Sequence, residues 1–225
     1  MRGRLINIEG TDCSGKNTQT SLLVQRLKRE GRKVEALSFP MYETPTGRIV
    51  GGCYLGNPHI GEGYFDETAV EVDPKVASLY YAADRKYNIA IVNDLLSQGY
   101  DVILDRYVES NMGHQAAKIK NKEDRYKMYE WLEKLEYELL ELPKADITIL
   151  LYMSLEKILE LKSLRNVKKD QMDDSIDNIK NANIAYLELA ELHDYKTINC
   201  LKDDKIRSIE DIHAEIYEIV NGLVE

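Results

Sequence analysis

Disulfides, membrane spans and a basic surface are all missing from this chain of 225 residues. Cys13, Cys53 and Cys200 are few, scattered and odd in number, with no C-x-x-C pair, which excludes a disulfide framework and fits free thiols in a reducing compartment. No uninterrupted apolar run approaches the ~18 residues of a membrane span. The N-terminus passes from Met1-Arg2-Gly3-Arg4 straight into a strand-like segment, so a soluble, cytoplasmic protein without a membrane partner is expected. With 39 acidic against 30 basic residues the net charge is −9. Such a chain has no evident surface for a long polyanion, and nucleic acid is not expected as its partner. A small anion needs only local positive charge. The hydrophobic content of 44% over this length is enough for one sizeable core, and a single domain over 1–225 is expected.

What is present is a phosphate-binding loop. Gly10-Thr11-Asp12-Cys13-Ser14-Gly15-Lys16-Asn17 follows the apolar run Leu5-Ile6-Asn7-Ile8 and precedes a helix-patterned segment. Its glycines let the backbone curl so that successive N–H groups converge on an anion, and the following helix adds its positive N-terminal dipole. Lys16 supplies a point charge for the outer phosphates. The pattern G-x-x-x-x-G-K ends in Asn17, where the full motif has Ser or Thr as a magnesium ligand.

Leu22, Leu23 and Leu27 fall at helical spacing and Gly31 closes a helix over 16–30. A strand over 34–39 ends at Pro40, a short helix is expected over 44–55, and the glycine-rich stretch 56–73 reads either as a mobile loop or as a broken helix. Pro74 opens a long helix to Ser97 whose core stripe is expected to hold Val76, Leu79, Tyr80, Ala83, Tyr87, Ile91 and Leu95. Continuous apolar runs at 102–104 and 147–151 read as strands buried on both faces, and 196–200 as a short strand. Helices are expected over 123–140, 155–164, 176–192 and 206–220. Residues 165–175, with Arg165, Lys168 and Lys169, carry almost no apolar residue and read as an exposed, mobile segment. Alternating strands and helices give an α/β fold: an open, parallel, five-stranded sheet with helices on both faces, a short lid at 165–175, and a site at the carboxyl ends of the strands.

Three strand ends meet at that edge: the loop, then Phe39-Pro40-Met41-Tyr42, then Asp105-Arg106-Tyr107. Asp105 is positioned to hold a magnesium ion or its waters beside phosphates. Arg106 offers a bidentate fork for phosphate. Tyr81 and Arg85 share a helix face, where a ring and a guanidinium suit a base and its phosphate. Phosphoryl transfer between anions is mostly positioning and charge neutralisation, so Lys16, Arg85 and Arg106 on separate segments, with a basic lid to exclude water, read as a small-molecule kinase.

These residues resemble the thymidylate kinases. Glu9-Gly10-Thr11-Asp12-Cys13-Ser14-Gly15-Lys16-Asn17-Thr18-Gln19 is similar to that family's loop, E-G-x-D-x-x-G-K-[ST]-T-Q. Phe39-Pro40 resembles its F-P segment, Leu79 to Arg85 its L-[LF]-F-x-x-[DN]-R helix motif, and Asp105 to Asn111 its D-R-Y-x-x-S-[NGT] motif. Residues 131–136 and 142–146 follow its pattern too. The resemblance implies ATP-dependent phosphorylation of dTMP with Mg2+, by a P-loop kinase that is commonly a homodimer built through helices. It implies that Gly10, Thr11, Asp12, Cys13, Ser14, Gly15, Lys16, Asn17 and Thr18 hold ATP, and that Lys16, Arg106, Asp12 and the lid's Arg165 serve catalysis. Asp12, Phe39, Tyr42, Tyr81, Arg85, Arg106, Ser110, Asn111 and His114 would bind the acceptor, and Asp105, Asn17 and Asp12 the metal. A related kinase with a shifted acceptor, or a nucleotide-binding protein without turnover, stands as the alternative.

The departures are specific. Tyr81 stands where the family usually has Phe, and His114 where an aromatic commonly crowds the sugar's 2′ position. Asn17 can offer magnesium only a neutral amide oxygen, with the Thr18 hydroxyl beside it. The expected outcome is a raised magnesium demand: titrating the rate against magnesium should show Asn17→Ser reaching half-maximal activity at lower metal, and identical curves would refute this.

Overall fold

The computed structural model describes residues 2–11, 13–164 and 176–222. The lid at 165–175, with Arg165, Lys168 and Lys169, lies outside the described residues, as does Asp12. Five strands, β1 (Leu5–Gly10), β2 (Val34–Ser38), β3 (Asp101–Asp105), β4 (Ile147–Tyr152) and β5 (Lys196–Asn199), form one parallel sheet in the order β2-β3-β1-β4-β5. The strand β1 is central and buried at every position, paired with β3 (Ile8 opposite Asp105) and with β4 (Gly10 opposite Leu151). Apolar runs rather than alternating ones make these strands because helices cover both faces.

The period-2 geometry of β1 sends its residues to two different layers. Ile6 and Ile8 pack with Leu23 and Leu27 of α1 (Lys16–Arg29) and with Ile212, Ile216 and Val220 of α8 (Ile209–Asn221). Leu5 packs on the other face with Ile89, Val92 and Leu96 of α3 (Pro74–Ser97) and Val108, Met112 and Ala116 of α4 (Val108–Ala116). Asn7 and Glu9 follow Leu5 on that second face and bond into α4.

Most expected elements are present, with four differences. First, α3 has the expected bounds, capped by the Asp73 side chain, but most of its expected stripe faces outward, with only Tyr80 and Leu95 packed against the core. Val76, Leu79, Tyr87 and Ile91 are 42%, 50%, 60% and 45% exposed, whereas Ala77, Ala82, Asp84, Arg85, Asn88 and Ile89 are buried. Hydrophobicity selects the wrong face here because the inner face mixes Ala77, Ala82, Ile89, Val92 and Leu96 with the hydrogen-bonded polar groups of Asp84, Arg85 and Asn88.

Second, α4 escapes a periodicity search for a similar reason, since the polar Glu109, Ser110, Asn111 and Gln115 are buried in it alongside Val108, Met112 and Ala116. Third, the segments expected as the ends of helices 44–55 and 123–140 are π-helical, over Ile49–Tyr54 after α2 (Pro45–Arg48) and over Lys134–Leu139 after α5 (Lys122–Glu133). Fourth, the strands β6 (Leu201–Lys202) and β7 (Lys205–Ile206) make a small antiparallel hairpin. Its turn residues Asp203 and Asp204 both have positive φ, 51° and 57°, as a type I′ turn requires. Asp-Asp is a weaker signal for that turn than Asn-Gly.

Residues 56–73 form neither helix nor strand but turns that pack against α3 and the end of α4. The Tyr54 hydroxyl donates to the Ala69 carbonyl (2.8 Å), and Lys118 Nζ donates to the Ala69 and Val72 carbonyls (2.7 and 2.9 Å). The Tyr54 ring is stacked on Tyr80 and edge-on to Phe65 and Tyr81, with centroids 5.8 to 5.9 Å apart. Helices α6 (Leu155–Leu164) and α7 (Ile176–Leu192) complete the layers.

Candidate functional site

The loop leaving β1 is shaped by three residues of positive φ: Gly10 at 148°, Cys13 at 64° and Gly15 at 85°. A Cβ at Gly10 would come within 2.5 Å of the Leu151 carbonyl oxygen and 2.7 Å of Ser14 Oγ. The Gly15 side, by contrast, is open, with nothing within 4 Å. Gly15 is the N-cap of α1 and offers no side chain to the helix's first N–H groups, which leaves them for an anion. Lys16 is buried, and its Nζ donates to the Gly10 and Thr11 carbonyls (2.8 and 3.0 Å).

The buried hydroxyls Thr11 Oγ1, Ser14 Oγ and Thr20 Oγ1 have no hydrogen-bond partner among the described residues. Unsatisfied groups of this kind are rare in folded proteins and mark a ligand or water site. Asn17 and Thr18 are exposed on the first turn of α1, and Cys13 is half-buried. Beneath the loop, Cys200 Sγ lies 3.9 Å from the Ser14 carbonyl oxygen, and burial pushes its thiol up to about 11. It remains an uncharged prop.

Beside the loop lies a cleft of about 120 Å³ lined by Phe39, Tyr42, Tyr81, Arg85, Arg106, Ser110, Asn111 and His114, with Pro40, Leu55 and Gln115. The structure therefore brings together in one cavity all the sequence-expected acceptor residues that it describes. Lys16, Asn17 and Asp105 lie outside that lining, as neighbours along the strand ends. Asp105 ends β3 and is partly buried, with no hydrogen-bond partner for its carboxylate among the described residues.

Arg85 enters the cleft already paired. It forms a two-point ion pair with Glu136, both side chains being at least 98% buried, and it donates to the Tyr107 carbonyl at 3.4 Å. Burial works against its charge, but Glu136, with Tyr107 and Tyr137 behind it, outweighs that and holds the guanidinium further up. Three of its five N–H groups are used, which leaves two for a ligand. Glu136 also accepts from Asn111 Nδ2 (2.8 Å), while Asn111 Oδ1 is buried without a partner among the described residues.

Arg106 sits at φ 73°, and its Nη1 lies 2.9 Å from His114 Nε2. Guanidinium nitrogens only donate, so this imidazole nitrogen accepts and His114 carries its proton on Nδ1. The His114 ring meets Tyr186 edge-on at 5.7 Å. The Ser110 hydroxyl donates to Glu9 Oε2 (2.7 Å) and so is directed away from the cleft.

Four further residues support the cleft without having been assigned a role from sequence. Asp84 accepts from Met41 N (2.9 Å), Thr46 Oγ1 (2.8 Å) and Asn88 Nδ2 (2.9 Å), which ties the Phe39–Tyr42 turn to α3. Glu136 orients Arg85 and Asn111. Gln115, fully buried at the back wall, faces the Tyr54 hydroxyl. Glu9 reaches from β1 into α4. Glu9, Asp84 and Glu136 all lie within the motif-like stretches of the sequence, and Glu9 carried a signal of its own as a carboxylate in an apolar strand. Nothing local marked Gln115.

Comparison with known proteins is consistent across sequence and fold. The family model described as thymidylate kinase matches residues 8–216. The thymidylate kinase of Schizosaccharomyces pombe is 27% identical, over 99% of this chain and 93% of its own. The human thymidylate kinase is 26% identical, over 96% and 88%. A solved structure of the Candida albicans thymidylate kinase superposes with a TM-score of 0.76 at 27% identity, covering 98% of this chain and 92% of that one.

Behind the cleft, Asn7 Nδ2 bridges Glu9 Oε1 (3.3 Å) and Glu109 Oε2 (2.7 Å), and the Tyr137 hydroxyl donates to Glu109 Oε1 (2.8 Å). Burial, then the nearby Glu9 charge, pushes the Glu109 carboxyl up to about 7. The unfolded chain loses this proton near its ordinary value of 4.5, whereas the folded chain keeps it until about 7. Stability therefore falls as pH rises through that window, by on the order of 2–3 kcal/mol. Thermal melts at pH 5 and pH 8 should show Glu109→Gln losing about 5 °C less than the wild type between the two. Any fixed cost of the substitution cancels in that difference. Parallel losses in both proteins would contradict the account.

Proposed function

The chain belongs to the thymidylate kinase family, and from that premise we propose that it transfers the γ-phosphoryl group of ATP to dTMP, giving ADP and dTDP. The carrying observation is the phosphate loop and the aromatic-and-arginine cleft opening side by side at the carboxyl edge of β1 and β3. Gly10's close approach to Leu151, the open side of Gly15 and the unpartnered hydroxyls of Thr11 and Ser14 fit a chain of phosphates. In this reading Gly10 to Thr18 hold the donor, and Lys16 exchanges its two loop carbonyls for phosphate oxygens.

An oxygen of the acceptor phosphate attacks the γ-phosphorus as the bond to the ADP leaving oxygen breaks, and Arg106 spans both phosphates as charge moves between them. Tyr81 stacks on the base against Phe39, and the two remaining N–H groups of Arg85 meet a base carbonyl. Asn111 Oδ1, unpartnered and buried, accepts from the base N–H. His114 and Tyr42 border the sugar and phosphate, and Asp12 and Arg165 act from the loop and the lid.

Magnesium, when bound, neutralises charge on the donor phosphates. Asp105, whose carboxylate has no hydrogen-bond partner among the described residues, and the exposed amide of Asn17 fit it, with Asp12 as the third candidate. Among the described residues no cluster of His, Cys, Asp and Glu forms a protein cage, as suits an ion held mostly by phosphate and water. No helix of the described chain is long and apolar enough to cross a membrane, and a cytoplasmic location accords with this chemistry.

The outward stripe of α3, Val76, Leu79, Ala83, Tyr87 and Ile91, is the face we assign to a second copy of the chain, since an exposed apolar patch of this kind marks an interface. Light scattering should give twice the chain mass, and Leu79→Arg about half of that value. A wild-type monomer would refute the assignment. For the reaction, a panel of dTMP, dUMP, dCMP, dGMP and thymidine with ATP should return dTMP as the preferred acceptor, ahead of dCMP by about tenfold or more in kcat/KM. Failure to phosphorylate dTMP would reject the reading.

A further inference from the structure

The backbone at Arg106 is held in the left-handed region at φ 73°, a conformation that costs about 1 kcal/mol or more for a non-glycine residue and persists only where the surroundings impose it. Two contacts impose it here. Arg106 N donates to the Ile8 carbonyl (3.3 Å), and the next N–H, that of Tyr107, donates to Glu9 Oε1 (2.8 Å). Tyr107 is the N-cap of α4 and supplies no side-chain cap. The carboxylate that an N-terminus favours comes instead from another element, from Glu9, the penultimate residue of β1. Glu9 is fully buried, and its Oε2 accepts from the Ser110 hydroxyl (2.7 Å) and the Tyr186 hydroxyl (3.2 Å). One carboxylate thus ties β1, α4 and α7 together immediately before Gly10, where the phosphate loop begins. Arg106 lies close enough to this group for its charge to act on Tyr186, against burial and Glu9.

We propose that Glu9 is a positioning residue for phosphoryl transfer: its buried carboxylate caps α4 across the sheet, and so fixes the turn that aims the Arg106 guanidinium at the phosphates. The same residue sets the spacing between the donor loop and the acceptor cleft, because Gly10 follows it directly while Tyr107 and Ser110 are bonded to it. Glu9 touches neither nucleotide in this arrangement. Its contribution appears when Arg106 must meet the transferring group within a narrow geometry, which places the effect in kcat rather than in acceptor binding.

Glu9→Gln is the probe. The side chain keeps its length, but one acceptor oxygen becomes an amide NH2 that now confronts the hydroxyl donors of Ser110 and Tyr186, and the anion at the α4 N-terminus is lost. The inference rests on the kinase reading, so wild-type turnover of ATP and dTMP is measured first. No dTDP from wild type would refute that reading, whereas an active wild type with an unaffected variant would refute this inference alone. In the active protein, Glu9→Gln should lower kcat by about tenfold or more while the KM for dTMP changes by less than about threefold.

Arg106→Lys, which keeps the charge and loses the fork, supplies the other arm of a double-mutant cycle. Because Glu9 acts through Arg106, the double variant should lose little beyond the worse single variant. Losses that multiply would assign Glu9 a general structural role and overturn the proposal, as would a kcat within twofold of wild type in folded Glu9→Gln. Should Glu9→Gln fail to fold, Glu9→Asp, a carboxylate drawn back by one methylene, enters the same cycle under the same criteria.

Discussion

The buried pair of Arg85 and Glu136 is the interaction on which the acceptor side of the molecule depends. Removing two charges from water is expensive, and mutual attraction repays it only with good geometry and with the remaining polar atoms satisfied. Here Glu136 also takes the Asn111 amide and Arg85 also takes the Tyr107 carbonyl. Three elements, α3, α4 and the π-helical continuation of α5, are therefore locked by one two-point contact. Losing either partner would leave an unpaired charge in the interior, which typically costs about 3–5 kcal/mol. The arrangement also explains how a chain of net charge −9 keeps an arginine available to a ligand: its countercharge is fixed beside it, and two N–H groups stay unused in a residue that lines the cleft.

A second consequence is that polar residues occupy the inner layer on one side of the sheet. Asp84 and Asn88 on α3, Glu109 to Asn111 on α4 and Glu9 on β1 lie buried there beside an apolar cluster, whereas the α1 and α8 side is filled by aliphatic contacts. The two faces of the sheet differ in kind. One is a hydrocarbon core throughout, and the other combines a hydrocarbon core with a buried hydrogen-bond network that holds the cleft in shape.

That asymmetry decides what was legible in the sequence. The loop, the five strands, and the bounds of α1, α3, α6 and α7 follow from glycine positions, apolar runs and helical spacing. The cleft residues were legible because Phe39, Tyr81, Arg85, Arg106 and Asn111 sit in motif-like stretches. The inner face of α3, the whole of α4 and the roles of Asp84 and Glu136 were not, because their burial rests on pairwise hydrogen bonds between segments far apart in the chain. A hydrophobic count reads such a helix inside out, as Val76, Leu79 and Ile91 show. The π-helical stretches and the Asp203-Asp204 turn have no reliable composition of their own.

The alternation along β1 has a consequence for folding fidelity. Asn7 and Glu9 project, with Leu5, into the layer that carries the hydrogen-bond network, and Ile6 and Ile8 into the aliphatic one. Sliding this strand by one residue against β3 and β4 would drive the Asn7 amide and the Glu9 carboxylate in among Leu23, Leu27 and Ile216, and turn isoleucines toward Tyr137, Ser110 and Tyr186. A one-residue slip exchanges the two faces of a strand, so a strand with the same apolar residues on both faces carries no mark of its register. In this sheet the central strand carries its own alignment mark, so misregistered pairings are rejected by the desolvation of two polar side chains before any ligand is bound.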